Sequence, residues 1–148
     1  MGDLSEHFSL HEFTNTSHTD LLEVNKKDAE QYIDNIKLVC TQLETLRNFI
    51  CRPVIITSGF RNEALNRRVK GSKSSQHMTG SAADITVKDF EDNSGLGFMF
   101  MWCCRHLTYG QIILESREGS HSWIHIGLPR KGRKSTRYVF KDGIYKKP

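Results

Sequence analysis

Proline is scarce, with three residues in 148, which excludes a collagen-like or proline-rich extended chain. With 26% charged and 37% hydrophobic residues, the composition is also not that of a disordered chain. Long apolar runs are missing. The longest, Phe98-Met-Phe-Met-Trp-Cys-Cys104, has seven residues, against the roughly 20 that a membrane-spanning helix needs. The opening Met-Gly-Asp-Leu-Ser-Glu-His has no basic start followed by an apolar stretch, so no secretory signal is expected. No Cys-x-x-Cys pair occurs among Cys40, Cys51, Cys103 and Cys104, which argues against a thiol-rich metal site, and adjacent cysteines seldom bridge one another. Buried, reduced thiols are expected, not a cysteine nucleophile.

The length suits one domain over 1–148 with one core and one site. Charge within it is uneven. Residues 129–148 hold eight Lys or Arg and one Asp, a net of +7, in a chain whose total is +4. Arg130, Lys131, Arg133, Lys134 and Arg137 could steer the protein to a polyanion, or the stretch is a solvated edge strand kept soluble by its lysines. It lacks the interleaved aromatic and basic residues of a recognisable nucleic-acid module, so no nucleic-acid partner is expected.

Residues 1–24 are polar, with Leu4, Phe8, Leu10 and Phe13 spaced to dock, and read as an N-terminal arm. From Asp28 to Ile50, apolar residues at Ala29, Tyr32, Ile33, Ile36, Val39, Cys40, Leu43, Leu46 and Ile50 follow the 3.6-residue helical period. Strands are predicted at 53–57, 82–87, 111–115 and 123–128, and shorter helices at 62–69 and 96–107. A basic C-terminal hairpin is predicted within 129–148, over 138–145, around an Asp-Gly turn. The expected class is α+β, with a small, mainly antiparallel sheet flanked by helices.

Chemistry concentrates in Ser75-Gln-His-Met-Thr-Gly-Ser-Ala-Ala-Asp84. An imidazole and a carboxylate stand on either side of a Gly80 turn, with small residues that let backbones close in. With His77 at the end of a loop and Asp84 on a strand, both can converge on one ion, and nitrogen plus oxygen ligands suit zinc. Trp123-Ile-His125 offers a third ligand on a later strand. A His2Asp set with an open fourth position is that of a catalytic zinc. If 111–115 and 123–128 form a hairpin with Glu115 opposite Trp123, then Glu115, Trp123 and His125 share one face. Glu115 is then within plausible reach of a zinc-bound water.

The pattern Ser-x-His-x-x-Gly-x-Ala-x-Asp followed by Trp-x-His resembles the zinc D-alanyl-D-alanine carboxypeptidase and L-alanyl-D-glutamate endopeptidase family, which cuts the peptide part of peptidoglycan. Ser58-Gly-Phe-Arg61 and Gln111-Ile-Ile-Leu-Glu115 match further family segments, and Leu4 to Phe13 looks like the start of phage endolysin-like members. The resemblance implies a hedgehog/DD-peptidase-like zinc fold and Zn2+ held by His77, Asp84 and His125. It also implies Arg61 as the clamp on an oxyanion or substrate carboxylate, and Ser75 beside the substrate. Many members carry an acid three positions before the last histidine ligand, where this chain has Ser122. Glu115 is the expected general base, with Glu118 and His121 as weaker candidates and orientation of a ligand histidine as Glu115's competing role. The expected activity is zinc-dependent hydrolysis of an amide bond in a peptidoglycan stem peptide, by a D,D-carboxypeptidase or L,D-endopeptidase. The rival is a catalytically inactive, zinc-stabilised cell-wall-binding or interaction module. A monomer is expected, made in the cytoplasm and acting on the cell wall after lysis or export.

Overall fold

The computed structural model describes residues 2–88, 90, 93–116, 122–141 and 144–148. Its helices are α1 (Leu10–Thr14), α2 (Leu22–Ala29), α3 (Ile33–Ile50), α4 (Glu63–Arg68) and α5 (Asn93–His106). Its strands are β1 (Val54–Ser58), β2 (Ala82–Val87), β3 (Gln111–Ser116), β4 (Trp123–Gly127), β5 (Thr136–Lys141) and β6 (Ile144–Lys146). Among the described residues these strands form one sheet in the order β1-β2-β4-β3-β5-β6.

Local chemistry accounts for the helix ends. Ser9 and Glu12 close a capping box at α1, each satisfying the other's backbone N–H. α3 buries Ile36, Val39, Cys40, Leu43 and Leu46, the stripe its periodicity predicts. It ends at Cys51, which is left-handed at φ 51°, just before Pro53. The helical stretch starts earlier than Asp28: α2 begins at Leu22 and passes through a 3-10 turn, Glu30–Tyr32, into α3. Only Asn25 and Ala29 of α2 are buried, so its apolar period is too sparse to reveal it. Phe8 and Phe13, from the first residues of the chain, lie fully inside the core.

The sheet is mostly antiparallel with one parallel pair, β3 with β5. The chain leaves β4, crosses back, and starts β5 on β3's free edge, where Thr136 N–H donates to Gly110 C=O at 2.9 Å. β5 and β6 pair antiparallel as the predicted hairpin requires; its Asp142-Gly143 turn lies outside the described residues.

Strand alternation gives the sheet two different faces. Ala83, Ile85 and Val87 of β2, Ile112 of β3, and Ile124 and Ile126 of β4 belong to the apolar core shared with α3 and α5. Their neighbours Asp84, Ile113, Glu115, Trp123 and His125 point to the opposite face and line one cavity there. Of the four free cysteines, Cys40 and Cys103 are buried, Cys104 is half-buried and Cys51 is exposed.

Candidate active site

Register brings the polar residues together. Asp84 of β2 pairs with His125 of β4, while on the other side of β4 Ile113 pairs with His125 and Glu115 with Trp123. Glu115, Trp123 and His125 therefore share a face, as the proposed hairpin needed. His77 arrives from the 3-10 turn Gln76–Thr79, which Ser75 caps by accepting the His77 N–H. Gly80 ends that turn at φ 64°, and a Cβ there would stand 2.8 Å from Ile36 Cγ1, so a glycine is required twice over.

His77 Nδ1 lies 2.7 Å from the Gly59 carbonyl, to which it can only donate. In the neutral ring this leaves the Nε2 lone pair facing the cavity, buried and with no hydrogen-bond partner. That nitrogen lies 3.3 Å from Asp84 Oδ1, and His125 Nδ1 lies 2.8 Å from the same oxygen. A lone pair set against a buried carboxylate is unfavourable unless a proton or cation stands between them. The three ligand atoms all lie within 4.8 Å of one another. A tetrahedral ion with bonds of about 2.0–2.1 Å separates its ligands by roughly 3.3 Å, so the group could hold a metal ion with little movement. Burial works against the Asp84 charge, but positive charge on the neighbouring His77 and His125 rings, the part a bound cation would otherwise play, outweighs it and holds the carboxyl well below the usual carboxylate range.

Arg61 leaves the loop after β1, its N–H donating to the His77 carbonyl at 3.2 Å. Its Nη2 lies 3.4 Å from Ser75 Oγ, a weak contact, and its Nε is buried without a partner among the described residues. Burial pulls its pKa down while Asp84 and Glu115 oppose the shift; the guanidinium stays charged. Arg61 and Ser75 line the same cavity of about 660 Å³ as His77, Asp84, Glu115 and His125. Trp123 forms part of its wall. Ser122 is buried, and Glu118 and His121 lie outside the described residues.

Several participants escape a reading of the sequence. Asn25, fully buried in α2, donates to the carbonyls of Thr14 (3.0 Å) and Phe60 (3.1 Å) and accepts from Asn62 N–H (2.8 Å). Asn62 in turn donates to Asp28 at 2.8 Å and caps α4. Phe60 N–H also donates to the Phe13 carbonyl. Arg61 is thus held on both sides by groups from α1 and α2. Buried Gln76 donates to the Leu128 carbonyl at 2.8 Å, tying the His77 turn to the end of β4. Nothing in the sequence marks Asn25 or Gln76 apart from other polar residues.

A search of curated proteins finds no match. The family model Peptidase M15 matches residues 6–127, a span that includes most of the opening segment, Arg61, His77, Asp84, Glu115 and His125. With that match over most of its length, and a His-Asp-His group able to take a metal ion in the wall of its cavity, the chain belongs to the Peptidase M15 family of metallopeptidases.

Proposed function

We propose that the protein hydrolyses an amide bond in peptidoglycan stem peptides, as a D,D-carboxypeptidase or L,D-endopeptidase, with Zn2+ held by His77, Asp84 and His125. The observation that carries this reading is the buried, unpartnered His77 Nε2 aimed at Asp84 beside His125. When bound, zinc supplies Lewis-acid polarisation of a carbonyl and acidification of a water.

The chain's own residues supply the rest. Glu115 accepts the proton of the attacking water and returns it to the leaving amine, since it lines the same cavity as the ligands. Arg61 donates to the carbonyl oxygen as negative charge grows on it, or to a substrate carboxylate, from a half-buried position where such a bond is worth more than in water. Ser75 borders the substrate and touches the Arg61 guanidinium only weakly, at 3.4 Å. The place of action is the cell wall, reached after lysis or export.

Digestion of purified peptidoglycan, followed by mass spectrometry of the released muropeptides, tests the activity and identifies the bond. Metal analysis tests the ligands: one zinc per chain is expected, lost in His77→Ala and His125→Ala. Full zinc stoichiometry in both variants overturns the ligand set. Bound zinc with no fragments released from any peptidoglycan favours the inactive module.

A further inference from the structure

The cavity over the three ligands is electrically lopsided. Among the described residues Asp84 and Glu115 are the only acids that line it, both on the sheet. The outer wall, built from the segment after α4 and the loop after β4, presents Lys70, Arg130 and Arg133 and no carboxylate among the described residues.

This wall is constructed, not a random share of the basic tail. Arg133 N–H donates to the Arg130 carbonyl at 3.1 Å, closing a turn. Gly132 takes its left-handed corner at φ 72°. Arg130 and Arg133, the two ends of the turn, line the cavity, whereas Lys131 between them does not. Arg137 neighbours Cys104 and Tyr109 instead. Arg130 Nη2 donates to the Ser74 carbonyl at 3.0 Å, which pins one arm of its fork across the cavity mouth and leaves other donors over. Lys70 is held at φ 57°, a left-handed backbone uncommon for a residue with a side chain. None of these three cations joins a salt bridge among the described residues. A second cavity of about 190 Å³ shares Gln76, Gln111, Arg130 and Arg133 with the first and adds Lys134, so the turn borders both cavities.

We propose that the Arg130–Arg133 turn, with Lys70, is an anionic subsite that binds a carboxylate of the peptide substrate at a distance from the scissile amide. Two guanidinium forks match a carboxylate in charge and in planar geometry, and among the described residues these cations have no acidic partner, so a ligand carboxylate can neutralise them. Because the turn belongs to the loop after β4 and carries neither Glu115 nor any of the three candidate ligands, it selects the substrate and does not act on the reacting atoms. The inference rests on the amide hydrolysis proposed above and deepens it: the preferred substrate is an acidic peptide.

The test uses the zinc-loaded full chain and two synthetic peptides that share one scissile amide. They differ at a single distant residue, Glu in one and Gln in the other. The expected result is a KM lower for the acidic peptide by on the order of 10-fold, with kcat similar and the difference shrinking as salt is raised. In the double variant Arg130→Gln/Arg133→Gln, the acidic peptide's KM rises and the two peptides converge. Lys131→Gln removes a cation outside the cavity and keeps the preference; melting curves and zinc content confirm that each variant is folded. The proposal fails if wild type treats the peptides alike, or if Lys131→Gln erodes the preference as much as the arginine changes do. If wild type cleaves neither peptide, the hydrolysis reading fails separately, and calorimetric titration still reads the subsite. Tighter binding of the acidic peptide, lost in the double variant, then sustains it, and equal binding overturns it.

Discussion

Asn25→Ala is the change most informative about how the site is held. Asn25 has no exposed surface, and its amide serves Thr14 C=O, Phe60 C=O and Asn62 N–H at 2.8–3.1 Å. Alanine orphans all three in an interior closed to water. Each lost partner costs about 1–3 kcal/mol taken alone. The carbonyls keep a second lone-pair direction and the loop can relax, so a total of about 3–5 kcal/mol is expected. For a chain of this size that lowers Tm by roughly 10 °C. Asn25→Asp is sharper: one oxygen still accepts from Asn62 N–H, but the other faces two carbonyl oxygens and no donor. It should destabilise at least as much. Arg61 sits between the two residues that Asn25 grips, so kcat/KM should fall well below wild type even at a temperature where the variant is folded and zinc is bound. Thermal melts, zinc analysis and steady-state kinetics on the same preparation separate these effects. A melting temperature within a degree or two of wild type refutes the buried network, and unchanged kcat/KM in the folded variant refutes the hold on Arg61.

Further outcomes follow from the same geometry. Arg61→Lys should keep zinc and fold but lose about 2–4 kcal/mol of transition-state stabilisation, because one ammonium cannot replace a guanidinium fork; near wild-type kcat/KM rules out the clamp. Glu115→Gln should keep zinc and lower kcat by roughly 10² or more, with Glu118→Gln and His121→Ala as controls; zinc loss instead makes Glu115 an orienter of a ligand. Stability should depend on pH through Glu44, whose carboxylate takes hydrogen bonds from Ser5 Oγ (2.6 Å), His7 N–H (2.8 Å) and the His7 ring (2.8 Å). Burial raises its pKa, but those bonds outweigh it and hold the group below its ordinary value. The stabilisation is therefore complete above the unfolded-chain pKa of about 4.3 and fades as pH falls through the lower folded value. Urea unfolding should show wild type more stable than Glu44→Gln at neutral pH, with a gap that narrows in acid; a gap constant with pH contradicts this.

The sheet's faces and its central register were legible because alternation is a local property. Ala83-Asp84-Ile85 and Ile124-His125-Ile126 each put a polar side chain between two core residues, and the register set Glu115 opposite Trp123. The partner of β5 was not legible. Tyr138-Val-Phe140 says strand but carries no information on which edge it joins; a crossover beginning at Thr136 decides that. α2 was missed for a related reason, since its anchor is a buried amide, Asn25, and not an apolar stripe.

The same distinction divides the site. Histidine and aspartate are residue types that can bind a metal, and the family motif they fall in marks their spacing, so His77, Asp84 and His125 could be named as candidate ligands before any fold was known. Asn25 acquires meaning only from Phe60 and Asn62, more than thirty residues away, and among polar residues in the sequence it resembles a solvated one. Net charge misleads in the opposite direction. The basic tail reads as one uniform patch, yet a four-residue turn aims Arg130 and Arg133 into the cavity and leaves Lys131 outside it. A sum of charges cannot anticipate that sorting, because it depends on the left-handed corner at Gly132. Residue type is enough where the chemistry needs particular atoms; where it needs those atoms held still, or a charge aimed, the deciding contacts are made by the fold.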